Sequence, residues 1–355
     1  MKSKKLFLIC LAVFMLAGCA KKTAAPELPN ESAEATQKAE AVVETAPEET
    51  KPVYADPVVQ QDIFTDVVKT AILEQEYKLV TEAVEAAIPD ILEPEASGEL
   101  VEANDRAMVD YSNTEDGYVM VRYTAETQKR LKVQVTGPTT TYTYNLTPGE
   151  WAVLPLSDGN GGYQVRIYQN VSGSQYSLVM GAQMDVDMID EFAPFLRPNQ
   201  YVNFAASSVA VEKAKELTRG IEDPLQKVEA IYNFAVAELE YDYDRAATVK
   251  SGYIPVLDSV LEEKKGICFD YAALMTGMLR SQGVPCKMVF GYAGSIYHAW
   301  ISVWTEDSGW VDGVIFFDGI AWKRLDPTFA STDNQSESIM NYINNNSNYQ
   351  EKYFY

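Results

Sequence analysis

Gly266-Ile267-Cys268-Phe269-Asp270-Tyr271-Ala272 opens the stretch that decides the fold, which runs through His298-Ala299-Trp300 and closes on Asp326-Pro327-Thr328. Beyond Cys268, apolar side chains recur at Tyr271, Leu274, Met275, Met278 and Leu279. Those positions form one stripe of an α-helix with a buried face. Arg280 in the last turn, then Gly283 and Pro285, supply the stop. Cys268 is therefore expected in the first helical turn, where unpaired N–H groups and the helix dipole favour an anion. A thiol with an ordinary pKa near 8.5 falls to roughly 3.5–7.5 in such a place, above all beside an imidazolium, and the thiolate is the nucleophile.

His298 is the single histidine of the chain. Around it Ala299, Ile301 and Val303 fall on one parity, and His298, Trp300, Ser302 and Trp304 on the other, which reads as a strand. Trp322-Lys323-Arg324-Leu325 reads as another strand, carrying Asp326 at its end. A carboxylate on a neighbouring strand can accept from the second ring nitrogen of His298, fix its tautomer and favour the imidazolium. Each residue has an ordinary reading as well. An isolated cysteine on an apolar helix is commonly a small buried hydrophobe, and Asp before Pro commonly forms a turn. A thiol, an imidazole and a carboxylate in this order, each in a fitting local context, point to nucleophilic acyl transfer.

With Lys265-Gly266-Ile267-Cys268-Phe269-Asp270-Tyr271-Ala272, His298-Ala299-Trp300 and Asp326-Pro327-Thr328, the chain resembles the transglutaminase-like superfamily. The resemblance spans roughly residues 207–328 and takes in Ile231-Tyr232, Tyr241-Asp242 and the run from Leu279 to Pro285. It implies a papain-like core with Cys268 as nucleophile, His298 as general base and acid, and Asp326 as orienting carboxylate. It also implies an oxyanion donor besides the Cys268 N–H. Tyr241 is the candidate, because a phenol can donate; its alternative is a core aromatic at the end of a helix. The β-barrels and calcium loops of the animal cross-linking enzymes have no counterpart in the sequence. Residues 306–319, with turn signals at Asp307-Ser308-Gly309 and Asp318-Gly319, insert an extra hairpin between histidine and aspartate.

The rest of the chain reads as anchor, spacer and presenting domain. Residues 1–18 have a basic start (Lys2, Lys4, Lys5) and an apolar run too short to span a bilayer. Leu16-Ala17-Gly18-Cys19 resembles a bacterial lipobox, which implies cleavage before Cys19 and lipid on its thiol. Residues 19–56, rich in Ala, Glu, Pro, Thr and Lys, form a tether that cannot bury enough apolar surface to order itself. Residues 57–195 read as a helix over 57–91 followed by a small β-sandwich. Its strands are expected at 118–123, 131–135, 140–146, 150–156, 163–168 and 176–182, between turn-forming runs. Residues 196–330 form the transglutaminase-like domain, entered through one helix with Val211, Ala214 and Leu217 and a second capped by Asp223-Pro224. Residues 331–355 form a Ser/Asn-rich tail whose terminal aromatics are placed to dock on the body. The fold class is thus α+β, with helices packed on an antiparallel sheet.

Composition narrows the function. A formal charge of −22 argues against nucleic acid and against electrostatic attachment to anionic lipid. With the leader removed, the thiols other than Cys19 are Cys268 and Cys286, and Cys286 reads as a buried strand residue. One histidine and no paired cysteines give no zinc signature, and no phosphate-binding or dinucleotide glycine motif is present, so no metal or cofactor is expected. The expected substrate is a protein or the peptide part of the cell wall, met at the extracytoplasmic face of a membrane. Whether water or an amine resolves the acyl-enzyme stays open. The alternative is a non-catalytic cell-surface binding lipoprotein carrying a relic of the triad.

Overall fold

Along 131–136 the residues Leu131, Val133 and Val135 are buried and Lys132, Gln134 and Thr136 are less so, the period of two that a strand with one covered face requires. The computed structural model describes residues 89–293, 296–306, 309–312, 314–317, 322–325 and 349–355. The leader, Cys19, the tether and the segment 57–88 lie outside the described residues, as do Asp326 and 326–348. Residues 89–91 are not helical. The described residues belong to one compact unit.

Two four-stranded antiparallel sheets come first. One has the order β1-β2-β3-β6, from Val101–Ala103, Ala107–Asp110, Tyr118–Tyr123 and Trp151–Pro155. The other has the order β5-β4-β7-β8, from Thr141–Leu146, Leu131–Thr136, Gly161–Ser172 and Gln175–Val186. Val109, Val121 and Leu154 of the first and Val133, Tyr144, Val165 and Ile167 of the second share one buried core. The β-sandwich expected from the turn spacing is present, with two departures. β1 and β2 were not foreseen, and β7 and β8 run to twelve residues each. β1 is wholly exposed, so it leaves no alternation to read.

Helices follow. α1 (Val209–Leu217) buries Ala210, Val211 and Ala214. α2 (Pro224–Glu238) begins at Asp223, whose carboxylate accepts from the Gln226 N–H at 2.9 Å with proline in the first turn. Its inner face is Val228, Ile231, Tyr232 and Ala235, at helical spacing. The short helices α3 (Tyr243–Thr248) and α4 (Leu257–Glu263) lead to α5 (Cys268–Arg280), which is buried from Asp270 to Arg280.

The second half of the molecule has its own sheet, in the order β13-β12-β11-β16: Gly309–Asp312, Ile296–Thr305, Cys286–Ala293 and Tyr349–Phe354. All its pairings are antiparallel. α5 packs on the face of β11 that carries Cys286 and Phe290: the Cys286 thiol reaches Thr276 Oγ1 at 3.7 Å, and the rings of Phe269 and Phe290 are 4.9 Å apart. Helices on an antiparallel sheet, behind a β-sandwich, make the chain α+β. β14 (Val314–Phe317) and β15 (Trp322–Leu325) form a separate antiparallel hairpin. The strand leading to Asp326 thus pairs with β14, and not with the strand of His298 as expected. The last seven residues dock on the body, as their aromatics suggested, and do so as a strand: 349–354 pair with the edge of β11, and Tyr355 is buried.

The two halves meet at an aromatic junction. Tyr142 of β5 lies 5.7 Å from Tyr353 and 5.5 Å from Tyr355, and Tyr144 lies 5.4 Å from Tyr201. Tyr201 in turn meets Tyr355 at 4.7 Å and Phe269, next to the candidate nucleophile, at 5.8 Å.

Candidate active site

Cys268 is the first residue of α5 and is half-buried, whereas Cys286 is fully buried; both are free thiols. The approach to Cys268 is a two-residue strand, β10 (Lys265–Gly266), paired in parallel with β9 (Glu240–Tyr241). The Asp242 N–H donates to Gly266 O at 2.8 Å. Ile267 at the cap cannot accept a hydrogen bond with its side chain. Asp270, three residues on, reaches back instead, and its Oδ2 accepts from the Ile267 N–H at 2.8 Å. This is the carboxylate half of a capping box. Gly266 makes room for it, since a Cβ there would lie 2.6 Å from Asp270 Cβ.

Asp270 is 0% exposed. Tyr253 Oη donates to its Oδ1 at 2.6 Å, and Arg245 Nη1 stands 3.5 Å from Oδ2. Arg245 also holds Glu263 at 2.6 Å and Asp242 at 3.6 Å. Burial raises the Asp270 carboxyl above its usual range, against the opposing pull of Tyr253, the Ile267 N–H and Arg245. The sequence carried one sign of this role, an acid at the third helical position after Gly-x-Cys; its polar residues Tyr253 and Arg245 come from separate segments.

Tyr241 lies opposite Gly266 across the β9–β10 bridge, and Gly266 precedes Cys268 by two residues. Its ring is 5.0 Å from that of Tyr243 and packs against the core. His298 is on β12, opposite Gly291, and 5% exposed. Opposed residues share a face and successive ones alternate. Phe290, Ala299 and Tyr297 therefore belong to the face that meets α5, and the Phe290 and Tyr297 rings stack at 5.9 Å. Tyr297 is 53% exposed, and what burial it has, together with neighbouring tyrosines, raises its phenol. His298 falls on the opposite face, where its ring stacks at 6.2 Å on Trp300. The structure thus brings Tyr297 to the Cys268 end of α5. It places His298 at the same level of the strand but on the other face. The hydrogen bonds of thiols among the described residues are those of Cys286. Asp326 lies outside the described residues.

Comparison with known proteins covers this region. Residues 211–312 match the model of the transglutaminase-like superfamily. This part of the chain is a transglutaminase-like domain. The match takes in α1 through β13, including Cys268 and His298. An uncharacterized protein of Mycobacterium leprae is 32% identical over 35% of this chain and 45% of its own length. The protein-glutamine gamma-glutamyltransferase of Pseudomonas aeruginosa is 28% identical over 26% of this chain and 17% of its own length. The chain thus spans less than half the length of these curated relatives. Among solved structures, the periplasmic domain of TgpA from Pseudomonas aeruginosa has 18% identity and a TM-score of 0.30, over 67% of this chain and 77% of that one. Among the described residues, no helix is long and apolar enough to cross a membrane.

Proposed function

We propose that the chain is a thiol-dependent acyl-transfer enzyme acting on amide bonds of proteins or cell-wall peptides, held at the outer face of a membrane by lipid on Cys19. The observation that carries this reading is the half-exposed thiol of Cys268 on the first residue of α5, inside the matched domain. The Cys268 thiolate attacks the amide carbonyl, and a carbon–sulfur bond forms. His298, oriented by Asp326, delivers a proton to the nitrogen as the carbon–nitrogen bond breaks. Water then releases an acid, or a second amine takes the acyl group. The free N–H of Cys268 in the first turn is the natural donor to the oxyanion. On this reading His298 must reach the thiol side of β12 when substrate is bound.

The orientation of His298 favours a second reading, a non-catalytic binding lipoprotein in which the imidazole is a packed core residue. One experiment separates the two. The protein lacking residues 1–18 is treated with iodoacetamide near neutral pH, and both thiols are followed by mass spectrometry. The enzyme reading expects Cys268 to label at least about tenfold faster than a free thiol, as reactive cysteines do. It also expects His298→Ala to abolish that advantage. Labelling of Cys268 at the rate of an ordinary thiol, unaffected by His298→Ala, supports the binding module. Incubation with a peptide library and a labelled amine then tells hydrolysis from transfer: shortened peptides mean the first, labelled peptides the second.

A further inference from the structure

The mechanism above leaves a buried carboxyl close to the thiol unused: Asp270, two residues beyond it. A carboxylate without solvent is costly unless its acceptors are filled, and here each oxygen has a partner. The partners come from three directions. Tyr253 belongs to the segment between α3 and α4, Arg245 to α3, and the Ile267 N–H to the chain entering α5. Arg245 is itself fastened to Glu263 at the end of α4 and to Asp242 beside β9.

We propose that Asp270 is the positioning residue of the nucleophile turn, and that Tyr253 and Arg245 are its supports. By taking the Ile267 N–H, its carboxylate fixes the bend from β10 into α5. The N–H of Cys268, one residue further, is then left without an internal acceptor and aimed outward. Gly266 is glycine because the carboxylate needs the space a Cβ would fill. Asp270 acts through the backbone of its neighbours and touches no substrate. The role rests on the reading of Cys268 as nucleophile, but the fixing of the turn can be measured without it.

Two probes divide the tasks of the turn. Alkylation by iodoacetamide needs a thiolate and no oxyanion donor. Acylation by p-nitrophenyl acetate forms a carbon–sulfur bond, passes through an oxyanion and expels p-nitrophenolate, so it needs the N–H in place. In Asp270→Ala the ratio of acylation to alkylation at Cys268 is expected to fall at least about tenfold, below the ~10²–10³ lost when an oxyanion donor is removed outright. Asp270→Asn, whose side-chain oxygen can still accept from Ile267, restores most of the ratio. Tyr253→Phe, which keeps the ring and loses the hydroxyl, lowers it severalfold and serves if the alanine variant does not fold. Amide hydrogen exchange in the peptide 264–272 is expected to quicken in the alanine and phenylalanine variants. An unchanged ratio together with unchanged exchange in Tyr253→Phe and a folded Asp270→Ala overturns the proposal. If wild-type Cys268 takes neither probe, the nucleophile reading fails; the exchange data then still decide whether Asp270 holds the turn.

Discussion

Arg280, in the last turn of α5, shows how much one side chain organises here. Its guanidinium is 3% exposed, and it donates to three backbone oxygens: Cys286 at 2.9 Å, Arg197 at 2.7 Å and Tyr355 at 2.5 Å. Burial lowers its pKa to about 10. One planar fork therefore ties together the start of β11, the link between the two halves and the end of the chain. Arg280→Ala leaves those oxygens buried without this donor, and each such loss costs roughly 1–3 kcal/mol. The expected result is a loss of at least about 3 kcal/mol in urea unfolding. Arg280→Lys recovers only part, since an ammonium does not span the fork. At this scale the sequence was partly legible. The thiol at the head of the helix followed from a stripe of apolar residues, which is local information. The face on which His298 lands follows from the pairing of β12 with β11 and from which side α5 chooses, and neither is written near His298.

Strands were legible by alternation or by an apolar run between turns. β4 and β5 fall within a residue of their expected spans because every second side chain enters the core, and β3, buried at every position but Arg122, coincides with its own. β8 runs four residues past its expected end, although Ala182, Met184 and Val186 alternate there with exposed residues, and its first half, which has no buried face, was foreseen. β16 was signalled only by aromatics, since a strand added to a distant edge is specified by its partner. That edge also depends on Gly291. A methyl group there would run into the Gln350 carbonyl and the Trp300 ring. Gly291→Ala is therefore expected to loosen β16 from β11, at a cost of about 1–3 kcal/mol as for other overpacked sites. Hydrogen exchange of 349–355 should rise while that of α2 stays unchanged; equal protection in both proteins would contradict the packing described.

At the scale of the molecule, the aromatic junction makes the two halves share a fate. Burial holds several acids neutral: Tyr201 and Cys286 are each pushed up to about 12, and Tyr142, Tyr144 and Tyr355 are raised as well. Their ordinary values are 10.0 for the phenols and 9.0 for the thiol. A neutral form favoured by the fold stabilises it fully below the unfolded pKa. That advantage is lost as pH rises from about 9 towards 12, because the unfolded chain ionises first. Denaturant midpoints measured from pH 8 to 11 should be flat at first and then fall steeply, and fluorescence and circular dichroism should report one common transition. Two separate transitions, or a midpoint indifferent to alkali, would mean that the halves do not share the tyrosine core.

The placing of β16 also sets an order of events. The strand it covers is translated long before it, so a nascent chain holds β11 with one edge bare and Arg280 lacking one of its three acceptors. The junction with Tyr142 and Tyr144 cannot close until Tyr353 and Tyr355 have left the ribosome. Completion of the body waits on residues 349–355, and a chain halted before residue 349 would leave its stacked rings and its sheet margin open to chaperones and proteases.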